Sequence, residues 1–175
     1  MTYAPARYEG AEREPRTADV HPYLLEPSLE THALYLIGFD ETRGAIRTFK
    51  VERIVDLALT PRTFEPPEAG PLAATLRRAW DIIADQPQVE VVLRFAPAVA
   101  ARVSEATWHP SQQIREVEDG SLEWRGTVSG TIEIRLWILS WGDEVEVIAP
   151  QELRADVAAT LARAVAVYGP FERRA

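Results

Sequence analysis

Residues 34–54 read LYLIGFDETRGAIRTFKVERI, and the fold of the chain turns on this stretch. An apolar run from Leu34 to Phe39 meets a turn from Asp40 to Gly44, and a second, alternating run follows from Ala45 to Ile54. Two such runs about a glycine-containing turn predict a β-hairpin. Side chains alternate along a strand, so the second run puts Arg47, Phe49, Val51 and Arg53 on one face and Thr48, Lys50 and Glu52 on the other. The face expected to be core therefore carries an arginine at each end. Arginine is rarely buried without a partner. Two of them on one otherwise apolar face suggest a concave site for an anion. A plainer reading stands beside it. Strand-end arginines lay their stems on the core and keep the guanidinium in water, or pair with nearby carboxylates. Spacing alone leans to the plainer reading.

Composition narrows the classes. The 175 residues suffice for one large domain or two small ones. Hydrophobic content of 46% is ordinary for a chain that buries a core. No apolar stretch approaches the length of a membrane span, so no membrane partner is expected. The first residues, MTYAPARYEGAEREPR, lack the apolar core of a signal peptide. The absence of cysteine excludes disulfides and thiolate-bound metal, and fits a cytoplasmic protein. A net charge of −8 with pI ≈ 5.0 opposes general binding to DNA or acidic membranes. Any nucleic-acid contact then needs a local basic pocket.

Taken in order, Met1 to Tyr3 reads as the tail of a strand and Glu9 to Arg16 as a loop. Val20 to Leu25, with Pro22 inside, reads as an edge strand or bend, and Glu26 to Thr31 as a turn. Leu34–Phe39 and Ala45–Leu59 read as strands, the second bent or bulged. Short strands, turn signals and no helical period suggest a small barrel. Pro61 to Pro71, PRTFEPPEAGP, holds four prolines and a glycine, the composition of a linker. Leu72, Leu76, Trp80 and Ile83 then recur at helical spacing, predicting a helix that ends before Pro87, with Trp80 as a core anchor.

From Val89 the pattern resets. VEVVLRF is a strand, and Pro97 opens a helix through Val99 and Val103 toward Ala106. Gln113–Glu118 and Leu122–Val128 flank Asp119-Gly120, a hairpin turn signal. TIEIRLWILSWGDE fits two periods. Ile132, Ile134 and Leu136 alternate as in a strand; Ile134, Trp137, Ile138 and Trp141 follow helical spacing, with Gly142 suited to a helix end. Glu144–Ile148 is a strand, and Pro150 starts a last helix with Leu153, Val157, Leu161, Val165 and Tyr168 on one face. With a helix at 131–141 the order is a ferredoxin-like split βαβ arrangement plus a terminal helix.

Catalytic signatures are thin. His21, His32 and His109 are far apart and none has a metal-ligand spacing. There is no Gly-x-Ser-x-Gly elbow and no Gly-x-x-x-x-Gly-Lys loop, and no carboxylate pair stands out for acid–base work. Enzyme activity and cofactors are therefore not expected. His21 precedes Pro22, which favours extended backbone; read alone it is an exposed polar residue on a bend. Tyr23 and Tyr35 suit either a core position with a satisfied hydroxyl or a stacking surface for a base. Trp108, Trp124, Trp137 and Trp141 read as core or as a dimer face, and Arg154, Arg163, Arg173 and Arg174 as a solvated face about the last helix.

Three elements resemble the WYL domain of bacterial transcription regulators. Leu34-Tyr35-Leu36 stands where that family has Trp-Tyr-Leu, with Gly38-Phe39-Asp40 after it; Arg47-Thr-Phe-Lys-Val-Glu-Arg53-Ile resembles its second signature strand; His21-Pro22-Tyr23 matches an upstream element. The replaced Trp implies altered barrel packing at position 34. Residues 89–168 resemble the C-terminal extension of such regulators, WCX, on Val89–Pro97, Asp119-Gly120-Ser121, Trp137-Ile138-Leu139, Trp141-Gly142-Asp143 and Val145–Pro150 with Leu153-Arg154 after it. The two resemblances cover most of the chain.

The resemblance implies an α+β fold: a small Sm-like or SH3-like β-barrel over residues 1–62, a linker with a helix over 63–88, and a ferredoxin-like domain over 89–175, with 131–141 helical. It implies a regulatory module that senses an anionic effector: a nucleotide, a short single-stranded nucleic acid or a related small molecule. Arg47 and Arg53 would meet phosphate, Tyr35 and Phe49 would form the apolar wall, and His21 and Tyr23 would orient the ligand. The second domain would carry homodimer contacts and relay occupancy. WYL regulators usually carry an N-terminal helix-turn-helix. This chain starts at about the first WYL strand, so the expectation is a fragment, a truncated reading frame or a stand-alone module acting through a DNA-binding partner, without sequence-specific DNA contacts of its own. One alternative is a structural dimerisation module with internally paired arginines and associating tryptophans. The other is a hydrolase or nuclease accessory, signalled by a histidine bonded to both a carboxylate and a hydroxyl.

Overall fold

In the computed structural model, which describes residues 1–4, 14–28 and 30–169, the chain divides into two compact units, Met1–Gln86 and Pro87–Ala175. The first unit holds two antiparallel three-stranded sheets. In one, β1 (Thr2–Tyr3) lies between β2 (Arg16–Thr17) and β6 (Ile54–Asp56); in the other, β4 (Ala33–Asp40) lies between β3 (Val20–Ser28) and β5 (Ala45–Lys50). Residues 9–13 of the expected loop lie outside the described residues, and Arg16 at its end opens β2.

The hairpin of β4 and β5 pairs Asp40 with Ala45 at the turn and Tyr35 with Lys50 at the open end. Asp40 organises the turn. Its carbonyl accepts the Gly44 N–H at 2.8 Å, and Gly44 takes φ +61°, a left-handed conformation that glycine adopts without strain. The expected alternation from Ala45 to Ile54 stops at Lys50. Val51–Arg53 form a 3₁₀ turn, and the chain leaves one sheet to enter the other as β6. Pairing with β4 ends at Lys50 although β4 itself runs on to Ala33, and the Lys50 N–H donates to the Tyr3 hydroxyl of the other sheet at 3.0 Å. Val51 and Arg53 are therefore not on one strand face with Arg47 and Phe49, as period two had placed them.

β3 is an edge strand, which tolerates Pro22. Its register against β4 shifts between Pro22 and Leu24, and Gly38 sits opposite this bulge. A Cβ at Gly38 would lie 2.5 Å from the His21 carbonyl oxygen, so only glycine fits there. Glu26–Ser28, expected to turn, instead continue β3 by pairing with Ala33–Tyr35. The helix expected from Leu72 to Ile83 is also shorter. α1 spans Ala69–Leu76; the Arg77 N–H still reaches four residues back to Ala73, but those of Arg78 and Ala79 bond three residues back, tightening the chain out of the helix. Ala79 and Ile82 are buried, whereas Trp80 is only half-buried and donates to Glu30 at 3.3 Å.

In the second unit, β7 (Gln88–Phe95), α2 (Pro97–Ser104), β8 (Gln113–Glu116), β9 (Leu122–Ser129), α3 (Ile132–Ser140), β10 (Val145–Ala149) and α4 (Gln151–Tyr168) follow in order. The sheet is antiparallel with strand order β10-β7-β9-β8. Of the two periods at 131–141, the helical one holds. Ile134, Trp137 and Ile138 are buried, while Ile132 and Leu136, which a strand would have turned inward with Ile134, are exposed. Trp124, Trp137 and Trp141 are core, and Trp108 is half-buried against them. Trp137 contacts Phe95, Trp108, Trp124 and Trp141 with ring centroids 5.1–5.9 Å apart, in tilted or edge-to-face geometry. The Trp124 ring lies over Gly126, where a Cβ would come within 2.3 Å of it. On α4, Leu153 and Val157 are buried but Leu161, Val165 and Tyr168 of the same stripe are exposed. Arg173 and Arg174 lie outside the described residues.

Candidate ligand-binding site

Strand pairing creates the site. Asp19 stands just before β3 and Glu41 just after β4, and the antiparallel register, Val20 opposite Asp40, brings the two acids side by side, with the Glu41 N–H on the Asp19 carbonyl at 3.0 Å. Like charges so placed need a cation. Arg62 supplies it from the extended segment after β6: Nη2 meets Asp19 Oδ2 at 2.5 Å and Nη1 meets Glu41 Oε2 at 3.0 Å. The second Glu41 oxygen accepts from His21 Nε2 at 2.8 Å. These four side chains form a row: His21, Glu41, Arg62, Asp19. The His21 bond holds the Glu41 carboxyl below its ordinary value of 4.5, Arg62 adds to this, and desolvation opposes it; the two carboxylates together raise Arg62 above its ordinary value.

Two residues beyond Arg62, Phe64 lies flat on the His21 ring, centroids 4.7 Å apart and planes within 11°, and tilts against Tyr23 at 5.9 Å. Beside this row is a cleft of ≈ 520 Å³, lined by Pro22, Leu36 and the continuous segment Leu57–Phe64. The size lies within the range of small-molecule sites. Along the row a guanidinium stands between two carboxylates.

Of the six residues expected to contact a ligand, only His21 lines this cleft, and Tyr23 reaches it through Phe64. Arg47 is ion-paired to Asp85 at 2.8 Å. Phe49 is core, 2% exposed, edge-on to Tyr3 at 5.2 Å. Tyr35 is half-buried with its hydroxyl 3.2 Å from Thr31 Oγ1. Arg53 is half-buried at the end of the 3₁₀ turn. Asp19, Glu41, Arg62 and Phe64 were not anticipated. The available signal was an arginine and a phenylalanine inside PRTFEPPEAGP, a stretch whose prolines read only as a linker.

His21 thus has a carboxylate. His109 has a hydroxyl, Ser111 Oγ at 2.8 Å, but this oxygen also accepts the Thr127 N–H and lies 3.0 Å from the Thr127 carbonyl, and His109 is 2% exposed. Ser111 there extends the ladder beside β9. Among the described residues no cluster of three or more His, Asp or Glu side chains could hold a metal ion. No helix among them is long and apolar enough to cross a membrane.

Residues 4–59 match the family model of the WYL domain and residues 87–165 that of the WCX domain. Protein PafC of Mycobacterium tuberculosis is 27% identical over 134 residues, which are 77% of this chain and 41% of that protein. The chain therefore spans about two fifths of the length of the curated relatives it matches. Proteasome accessory factor B/C (PafBC) of Arthrobacter aurescens aligns over 99% of this chain and 26% of its own, at 23% identity and a TM-score of 0.41. A CRISPR Cas-related protein shares the fold at a TM-score of 0.60 and 11% identity, over 89% of this chain and 44% of its own. The chain is thus a WYL domain followed by a WCX domain.

Proposed function

We propose that this chain is the effector-sensing part of a bacterial transcription regulator and that its WYL unit binds an anionic ligand, either a nucleotide or a short single-stranded nucleic acid. In this reading it is non-enzymatic, needs no cofactor, works in the cytoplasm and acts with a DNA-binding domain or subunit. The observation that carries the proposal is the cleft of ≈ 520 Å³ inside the WYL unit, with a guanidinium and three aromatic rings at or beside it. Arginine pairs with phosphate oxygens through two donors, and rings stack on bases. The two sheets of the first unit support an Sm-like barrel, and the β-α-β-β-α-β order of the second supports a ferredoxin-like domain. Regulation then requires that the ligand bind two states of the protein unequally.

The test is binding of a short fluorescent single-stranded oligonucleotide across a salt series, with the parent, Arg47→Ala and Arg53→Ala. Binding that weakens with salt and survives both substitutions supports an anion site in the cleft, which neither arginine lines; loss in either variant moves the phosphate out of the cleft to that arginine. No binding of oligonucleotides or mononucleotides at low salt removes the reading. A second reading, a self-association module, is favoured by the exposed half of α4, where Val165 and Tyr168 are 65% and 89% exposed.

A further inference from the structure

We infer that the phosphate-binding arginine of the cleft is Arg62, and that Asp19 and Glu41 occupy it in place of the ligand's oxygens. The inference rests on the anion-sensor reading and names the residues that would carry it. Arg62 and Phe64 lie beyond residues 4–59, the part of the chain that matches the WYL family model.

Three observations support it. First, geometry. Arg62 holds one carboxylate oxygen from each of two acids on two different nitrogens, at 2.5 and 3.0 Å. A phosphate group offers the same two acceptors from one centre. Neither pair is deeply buried: the side chains of Arg62, Asp19 and Glu41 are 57%, 48% and 35% exposed. Ion pairs this open contribute little net stability, so a dianionic group can displace them. Second, position. Phe64 lies against the His21 ring two residues from Arg62, so a phosphate at Arg62 would put an attached planar base within reach of a stacking surface. Third, attachment. Eight consecutive residues, Leu57 to Phe64, wall the cleft. Among the described residues, no backbone hydrogen bond ties Ala58–Pro67 to the rest of the unit. The segment is held by the Arg62 pairs and the Phe64 stack, the low-stability end of the structure. A ligand that takes Arg62 from the acids therefore also removes the ion-pair part of the strap's attachment and leaves the Phe64 stack. Because the strap leads on to α1, occupancy of the cleft is tied to the path of the chain beyond it.

The inference makes an unusual demand. Removing the acids should strengthen binding, because they compete for Arg62. The experiment measures a 5′-phosphorylated fluorescent tetranucleotide and its unphosphorylated counterpart against the full chain. The proteins are the parent, Arg62→Ala, Arg62→Lys, Phe64→Ala and the double variant Asp19→Asn with Glu41→Gln, each checked for an unchanged circular dichroism spectrum. The double variant is expected to bind the phosphorylated probe about tenfold more tightly than the parent, Arg62→Ala about tenfold or more weakly, and Arg62→Lys in between. Phe64→Ala should weaken both probes, since stacking does not need the phosphate. If the parent binds and the double variant binds no better, or Arg62→Ala binds as well as the parent, this inference falls while the anion-sensor reading stands. If neither the parent nor the double variant binds any phosphorylated probe, both fall.

Discussion

Individual residues carry the sharpest tests. Gly38→Ala forces a Cβ to 2.5 Å from the His21 carbonyl, backbone that the β3 bulge holds in place. The expected loss is about 1–3 kcal/mol, read as a lowered urea midpoint with an unchanged slope. Asp40 is fully buried and pairs with Arg16 at 2.6 Å while also accepting the Arg43 N–H at 3.2 Å. Arg16→Ala strands that carboxylate, and the same urea measurement should show a loss of about 3 kcal/mol. Glu41 gives a pH test. Its folded value lies below its ordinary 4.5, so the ionised form stabilises the folded site above that pH and the contribution is lost as pH falls through the depressed value. Carboxyl NMR should place the Glu41 midpoint below 4.5, and His21→Ala and Arg62→Ala should each raise it, because each removes a hydrogen bond to the ionised carboxylate. None of these partnerships was legible in the sequence. Asp19 and Arg62 are 43 positions apart, and no local period relates them.

Elements were more legible, because their signal is local. The hairpin of β4 and β5, the turns at Gly44 and Gly120, and the strands β7, β9 and β10 all follow from alternation and turn chemistry within a few residues. The failures have one cause. Period says which residues share a face but not how far the face stays paired. β5 stops at Lys50 although β4 runs on to Ala33, and α1 stops at Leu76 although apolar spacing runs on to Ile83. The stripe on α4 has the same ambiguity: Leu153 is 2% exposed and Val165 65%, at one helical repeat. Leu153→Ala should therefore destabilise by about 2–4 kcal/mol, and Val165→Ala by less than about 0.5 kcal/mol, in paired thermal melts.

At the scale of the whole molecule, the open half of α4 bears on assembly. If it is a contact between copies, sedimentation of the parent shows association that rises with concentration, and Val165→Glu abolishes it; a monomer at every concentration removes the self-association reading. Composition, periodicity and turn residues determined that this is an α+β chain with a strand-rich first part, a proline-rich connection and a β-α-β-β-α-β second part, once the helix at 132–140 is chosen over the strand. That choice belonged to burial, since both periods fit and only a packed core distinguishes Ile134 from Ile132. Tertiary structure alone decided which side chains meet at the cleft. It withdrew Phe49 into the core, gave Arg47 to Asp85, and brought Arg62 and Phe64 from the connection onto His21, Glu41 and Asp19. The physical reason is range: backbone conformation is set by neighbours a few residues away, whereas the partner of a charge is set by distance in space, which only the folded chain defines.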